Sequence, residues 1–231
     1  MQAAAEIAAE TVRMRGRKPK APQYYEFNAA LNVRPPFFKI VSGGRLESHA
    51  GSLLAEPAWP DGYARLPRHP WRFPDYREPP LLMFDKKFGR TARDVENKDG
   101  LWFVTSAMKA FLERVDPDAC EFRKCDTEWT SGEAGPEYWL CSVTRLLFGW
   151  DVIDVDKSTK IKVLVGTGGL PWHYLVYGRY LHLKPEAIGT AHLFRIVGMG
   201  QRIFCDQTLR DAYKEAEIKG GDFLKIGVDH W

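Results

Sequence analysis

Apolar and polar positions along the chain repeat one figure twice. In Leu101 to Phe122 the apolar run Trp102-Phe103-Val104 meets Thr105; in Arg202 to Phe223 the run Ile203-Phe204-Cys205 meets Asp206. Thr and Asp are residues whose side-chain oxygen takes a free backbone N–H at a helix start. Counting from Thr105, apolar residues fall at Met108, Phe111, Leu112 and Val115, and from Asp206 at Leu209, Ala212, Tyr213 and Ala216, offsets of +3, +6, +7 and +10 in both. These offsets trace one face of a 3.6-period helix. Asp116-Pro117 stops the first helix and Gly220-Gly221 the second, and each stop leads into an acidic-aromatic pair, Glu121-Phe122 and Asp222-Phe223. The pattern predicts two related strand-helix-strand units.

Elsewhere the pattern reads mainly as strand. Phe37 to Val41, Leu81 to Phe84, Tyr138 to Phe148, Asp151 to Val155 and Leu193 to Val197 are strand candidates, and Ile161 to Val165 with Trp172 to Leu183 reads as a hairpin around Gly166-Thr167-Gly168-Gly169. Asp126 to Glu137 reads as a polar loop. Residues 1–15 read as a short Ala-rich helix and 16–23 as a basic linker. Between Pro57 and Pro80 seven prolines interleave with Trp59, Tyr63, Trp71, Phe73 and Tyr76. Such a density of proline denies helix and sheet their N–H donors, so an irregular segment is expected there. The expected class is α+β, rich in β, with roughly nine or ten strands and three or four helices. The expected division is a tail (1–23), an irregular proline- and aromatic-rich β region (24–100) and an α+β domain (101–231).

Charge narrows the function. The net charge of +3 is carried by the first 23 residues, with Arg13, Arg15, Arg17, Lys18 and Lys20 against Glu6 and Glu10. A neutral remainder argues against a nucleic-acid-binding face built on net charge. Four cysteines without a tight pairing motif suggest free thiols in a reducing compartment. The opening residues lack the order of a secretory signal, and no apolar run approaches a membrane span. A cytoplasmic protein is expected.

Candidate chemistry is sparse. The glycines around Gly166, Gly168 and Gly169 lack the lysine and following helix of a phosphate loop and read as a turn. Cys120 and Cys125 lack partners for a metal site. Asp151, Asp154 and Asp156 admit a hard cation, but capping of a turn and pairing with Lys157 or Lys160 is the stronger reading. The six histidines are scattered, with no nucleophile motif to make one of them a base. No cofactor, metal or catalytic residue is expected.

From Cys120 onward, Cys120-Glu121-Phe122, Glu137-Tyr138-Trp139-Leu140-Cys141-Ser142-Val143, Val152-Ile153-Asp154-Val155-Asp156-Lys157-Ser158, His192-Leu193-Phe194-Arg195, Ile203-Phe204-Cys205-Asp206 and Gly220-Gly221-Asp222-Phe223 together resemble the immunity-protein-eleven family of bacterial polymorphic toxin systems. The resemblance covers about Leu101 to Gly227, and a related, mostly β immunity family would imply the same role. It implies a non-catalytic protein that binds and neutralises a cognate toxin, and residence in the cytoplasm then implies a toxin acting there, such as a nuclease. A small-molecule-processing enzyme and a general protein-binding adaptor are the alternatives. An inhibitor that acts by occupancy needs an aromatic centre and a polar rim. Trp59, Trp71 and Tyr76 in the proline-rich segment and Asp126, Glu128 and Glu133 in the acidic loop supply both, and are the candidate partner-binding residues.

Overall fold

The computed structural model describes residues 21–29, 35–41, 72–73, 78–98, 101–159, 161–165, 171–176, 180–200 and 202–228. Its strands are β1 Tyr24–Ala29, β2 Phe38–Val41, β3 Leu81–Phe84, β4 Val95–Lys98, β5 Leu101–Thr105, β6 Cys120–Lys124, β7 Asp126–Trp129, β8 Tyr138–Val143, β9 Leu146–Phe148, β10 Ile161–Val165, β11 Pro171–Val176, β12 Leu193–Val197, β13 Ile203–Asp206 and β14 Gly221–Lys225. The helices are α1 Ser106–Val115, α2 Gly149–Val152, α3 Pro185–Ile188 and α4 Gln207–Glu215, with a 3-10 turn at Lys86–Phe88. The fold is α+β and β-rich, as expected, with more strands than the apolar pattern announced.

Both repeated units form, and they share more than a sequence figure. The sheet of the first runs β4-β5-β8-β6; the second runs β12-β13-β1-β14 and carries β9 beside β12. In each, a hairpin leads into the helix, and the strands before and after that helix flank a third strand antiparallel to both. In the first unit the inserted strand, β8, follows the helix in sequence. In the second it is β1, near the start of the chain. The apolar pattern held no expectation of a strand at β1.

The helix starts form as read. Thr105 Oγ1 accepts the Met108 N–H at 3.3 Å, and Asp206 Oδ1 accepts the Leu209 N–H at 2.9 Å. Met108, Phe111, Leu112, Leu209 and Tyr213 are buried, and Val115 and Ala212 pack against the same core. Ala216 departs from the pattern. Glu217 turns into the left-handed region at φ 54°, so α4 ends at Glu215 and Ala216 is exposed, several residues before the expected stop at Gly220-Gly221. The two helices meet where Phe111 stands edge-on to Tyr213, 5.7 Å between ring centroids.

Each unit is tied to the other in the same way. The residue before the first hairpin strand accepts or donates at its own unit's cap: Thr105 Oγ1 donates to Asp94 Oδ1 at 2.9 Å, and His192 Nδ1 lies 2.8 Å from Asp206 Oδ2. That same position is bonded across to the loop after the other helix. Lys219 N donates to Asp94 Oδ2 at 2.8 Å, while Asp116 Oδ2 accepts from His192 N and Leu193 N at 2.8 and 2.9 Å. A quasi-two-fold relation of the halves accounts for the exchange.

Outer layers cover the other faces. Leu82 and Phe84 of β3 pack with Phe38, Phe73, Phe103, Tyr138 and Leu140, seating the sheet β2-β3-β7 on the first unit. Val152, Ile153, Leu181 and Ile188 pack with Phe194, Ile196 and Phe204 of the second unit, with Ile161 and Val163 of β10 against them. Three expectations are corrected. Asp151 to Val155 is not a strand: Gly149–Val152 is a helical turn and only Ile153 bridges, to Leu183. Tyr138 to Phe148 is not one strand but two, interrupted at Thr144-Arg145, where both N–H groups turn to the Ala119 carbonyl. Within Trp172 to Leu183 the strand runs to Val176, and among the described residues after it, 180–183, only Leu183 bridges, to Ile153. The expected helix over 1–15 and most of the proline-rich segment lie outside the described residues.

Candidate partner-binding surface

The acidic stretch is ordered by the sheet it joins. One residue after β6, Asp126 enters β7, which pairs in parallel with β3, so that Leu81, Leu82, Met83 and Phe84 lie beside Asp126, Thr127, Glu128 and Trp129. This corrects the expected loop, since Asp126 and Glu128 belong to a strand. Side chains alternate along a strand, and Trp129 stacks on Phe37 at 5.5 Å and leans on Phe84 at 5.7 Å, toward the core. Asp126 and Glu128 therefore share the outward face with half-buried Leu81 and Met83 and with Val41 and Lys39 across β3. Glu133 lies in the turn that follows, where the Glu133 carbonyl accepts the Trp129 N–H and the Trp129 carbonyl accepts the Gly132 N–H, both at 2.8 Å.

Further bonds fix that turn. Thr130 N donates to the Phe84 carbonyl, Gly135 N donates to the Thr127 carbonyl, and Thr130 Oγ1 donates to Asp85 Oδ2. The Lys87 N–H and then the Thr130 hydroxyl hold Asp85 below the usual carboxylate range. The structure thus brings Asp126, Glu128 and Glu133 onto one hairpin. Trp59, Trp71 and Tyr76 lie outside the described residues.

A second surface, missed in the sequence, recurs in both units. Trp139 of β8 donates its indole N–H to Ser106 Oγ, the first residue of α1, and Lys109 Nζ lies 4.8 Å from the Trp139 ring centroid. In the second unit Tyr25 of β1 bonds Gln207 Oε1 at the first residue of α4, and the Arg210 guanidinium lies 4.8 Å from its ring. Both cations stand four residues after the cap. That spacing was legible; the aromatic beneath each was not, because it comes from the inserted strand. Around Trp139, Lys124 Nζ pairs with Glu137 at 2.8 Å, and Lys124 and then Ser106 hold the Glu137 carboxyl below its ordinary range.

The remaining candidate groups are engaged in structure. Asp154 accepts the Lys157 N–H at 3.2 Å and pairs with Lys157 Nζ at 2.8 Å, as the capping interpretation required. All four cysteines are free thiols. Burial pushes Cys125 up to about 12, and a hydrogen bond with Cys141 pushes Cys120 up, so neither has the thiolate character of a reactive cysteine. Burial lowers Arg195 to about 10. Two concavities, of ≈ 370 and ≈ 490 Å³, flank Ala21–Gln23. Lys157, Leu181, His182, Lys225 and Ile226 are among the residues lining the first; Tyr25, Gln207, Arg210 and Asp211 are among those lining the second. Among the described residues no three His, Cys, Asp or Glu side chains are grouped to hold a metal ion, and no helix is long and apolar enough to cross a membrane.

Surfaces that offer paired charges and half-buried apolar rows, rather than converging reactive groups, define a protein whose described faces are suited to contact. The chain belongs to the Immunity protein family (Imm11), whose model matches residues 11–228. The match takes in nearly the whole chain, including the β1–β4 region that the sequence resemblance left out. No curated protein matches it. An immunity family implies binding to a cognate toxin protein and its neutralisation.

Proposed function

We propose that this protein neutralises a toxin acting in the cytoplasm, of the nuclease type, by occupying it without chemistry. The contact is the outward face of β2-β3-β7 with its following turn, joined by Trp59, Trp71 and Tyr76 from the proline-rich segment. The observation that supports this reading is the placement of Asp126 and Glu128 on one face beside Leu81 and Met83, with Glu133 in a turn fixed by backbone bonds. A fixed turn lowers the ordering cost of binding. Carboxylates on that face suit the basic cleft of an enzyme that acts on phosphodiesters, and opposite charge speeds association. Lys39 at the far row limits the acidic character to the β7 side.

The test expresses the toxin encoded beside the gene with variants of this protein, each first shown to be folded by its thermal transition. Glu128→Lys with Glu133→Lys is expected to weaken binding by about tenfold or more, mostly through the association rate, and to reduce protection of cells. Trp71→Ala is expected to act on dissociation. Full protection and wild-type affinity in both variants would remove this face and the proline-rich segment as the inhibitory surface.

A further inference from the structure

The two strands that close the repeated units, β6 and β14, are both sheet edges. Their sequences are alike, Cys-Glu-Phe-Arg-Lys and Gly-Asp-Phe-Leu-Lys. In β6 the Cys125 N–H, just past its end, donates to the Tyr138 carbonyl of the neighbouring strand at 3.0 Å. Antiparallel pairing alternates, so Arg123 and Glu121 also turn their backbone groups to β8, and those of Lys124, Phe122 and Cys120 point away from the sheet. Among the described residues no hydrogen bond takes the Phe122 or Lys124 N–H, and the Phe122 carbonyl receives only a long bond, 3.4 Å, from Arg123 Nη1. The side chains, by contrast, are settled: Arg123 pairs with Glu121 at 2.7 Å, Glu121 takes the Phe73 N–H at 3.3 Å, and Lys124 pairs with Glu137. An open row of backbone donors and acceptors is a template for another extended chain.

We propose that an extended segment of the toxin adds to β6 as a further strand of the first unit's sheet. This rests on the partner being a protein toxin, as proposed above, and specifies how that partner is held. β6 is favoured over β14 for two reasons. It runs through Cys125 directly into β7, so an added strand lies in continuity with Asp126 and Glu128. It also borders half-buried Trp139 and Phe122, residue types that anchor interfaces, with Lys109 over the Trp139 ring to meet an acidic side chain of the incoming segment. In β14 the first outward N–H, that of Gly221, is already taken by the Tyr213 hydroxyl at 2.8 Å, leaving a shorter open row.

Proline discriminates this contact from a side-chain one, because at an outward-facing edge position it removes a donor without breaking a bond of the sheet. Full-length protein is titrated with the toxin domain encoded beside it, carried as a catalytically inactive form. Lys124→Pro is expected to weaken binding at least about tenfold, the order of one or two lost hydrogen bonds with their geometry. Lys124→Ala, which removes only the charge and its pair with Glu137, and Lys225→Pro, on the equivalent edge of the other unit, are expected to stay within about threefold of wild type. Hydrogen exchange of the wild-type protein gives an independent reading: the Phe122 and Lys124 amides should become protected in the complex. Wild-type affinity in Lys124→Pro together with unprotected Phe122 and Lys124 amides overturns the proposal. Protection of those amides that rises with protein concentration in the absence of toxin overturns it in favour of a second copy of the chain. A wild-type protein that fails to bind the toxin removes the proposed function itself, and with it this docking mode.

Discussion

The two units are built on one plan with different materials. Each has a hairpin, a capped helix and an inserted antiparallel strand, yet β8 enters the first from the C-terminal side and β1 enters the second from far upstream. Pairing in a sheet is indifferent to the order in which strands are made, so long as the register buries the same face. The ties differ in strength as well. The first unit reaches across with Asp116, a carboxylate 4% exposed that also holds Arg145 at 2.6 Å. The second reaches back with the backbone of Lys219, which donates to Asp94 and accepts from Val95 N. The same position in the plan is filled once by a buried ion pair and once by peptide groups.

Phe111→Ala is expected to break the comparison most, because it empties the contact between the helices and removes one of the three rings packed on Tyr213. A loss of about 3 to 5 kcal/mol in chemical unfolding is expected; a loss under about 1 kcal/mol would mean that the helices do not share one core. Next is Asp116→Ala, which leaves Arg145 and the N–H groups of His192 and Leu193 without their acceptor. The expected loss is about 3 kcal/mol, against about 1 for Asp94→Ala at the reciprocal tie. Equal losses would show that burial does not distinguish the two ties.

Tyr213→Phe removes the hydroxyl that accepts from Gly221 N, and about 1 kcal/mol should go with it. The pH dependence sharpens the point. Burial raises Tyr213 from 10.0 to about 12. A raised folded value means the neutral form is favoured in the fold, so this contribution is complete below pH 10, declines as pH rises toward 12 and is absent above it. Replacement by Phe should therefore flatten part of the alkaline fall in stability, read as the unfolding midpoint between pH 9 and 12. The smallest expected effects are at the caps. Thr105→Ala should cost about 0.5 kcal/mol and Asp206→Ala somewhat more, up to about 1 kcal/mol, since Asp206 also holds His192.

How much was legible follows from the range of each interaction. The caps, the offsets of the buried residues and strands such as Leu81–Phe84 were readable because a cap reaches three residues and a helix face repeats every three or four. The end of α4 was misplaced. Gly220-Gly221 looked like a helix stop, but these glycines serve the next strand: a Cβ on Gly221 would stand 2.4 Å from the Phe27 ring, so glycine is required there by packing. On the candidate surface, the acidic residues were found by composition and their setting was not. Asp126-Thr127-Glu128-Trp129 has too little apolar alternation to announce a strand, and becomes one because β3 offers it a parallel edge. Trp139 was passed over because its partners, Ser106 and Lys109, lie some thirty residues away.

The sequence by itself determined two capped amphipathic helices, the α+β class and the family, all of which rest on residue types at short, fixed spacing. Tertiary structure alone decided that β1 completes the second unit, that the post-helix loop of each half is bound by the hairpin of the other, and that β6 is left as an edge beside the acidic row. These depend on which distant strands find one another. Backbone hydrogen bonds carry no residue identity, and the apolar faces that select partners are satisfied only when the whole core closes.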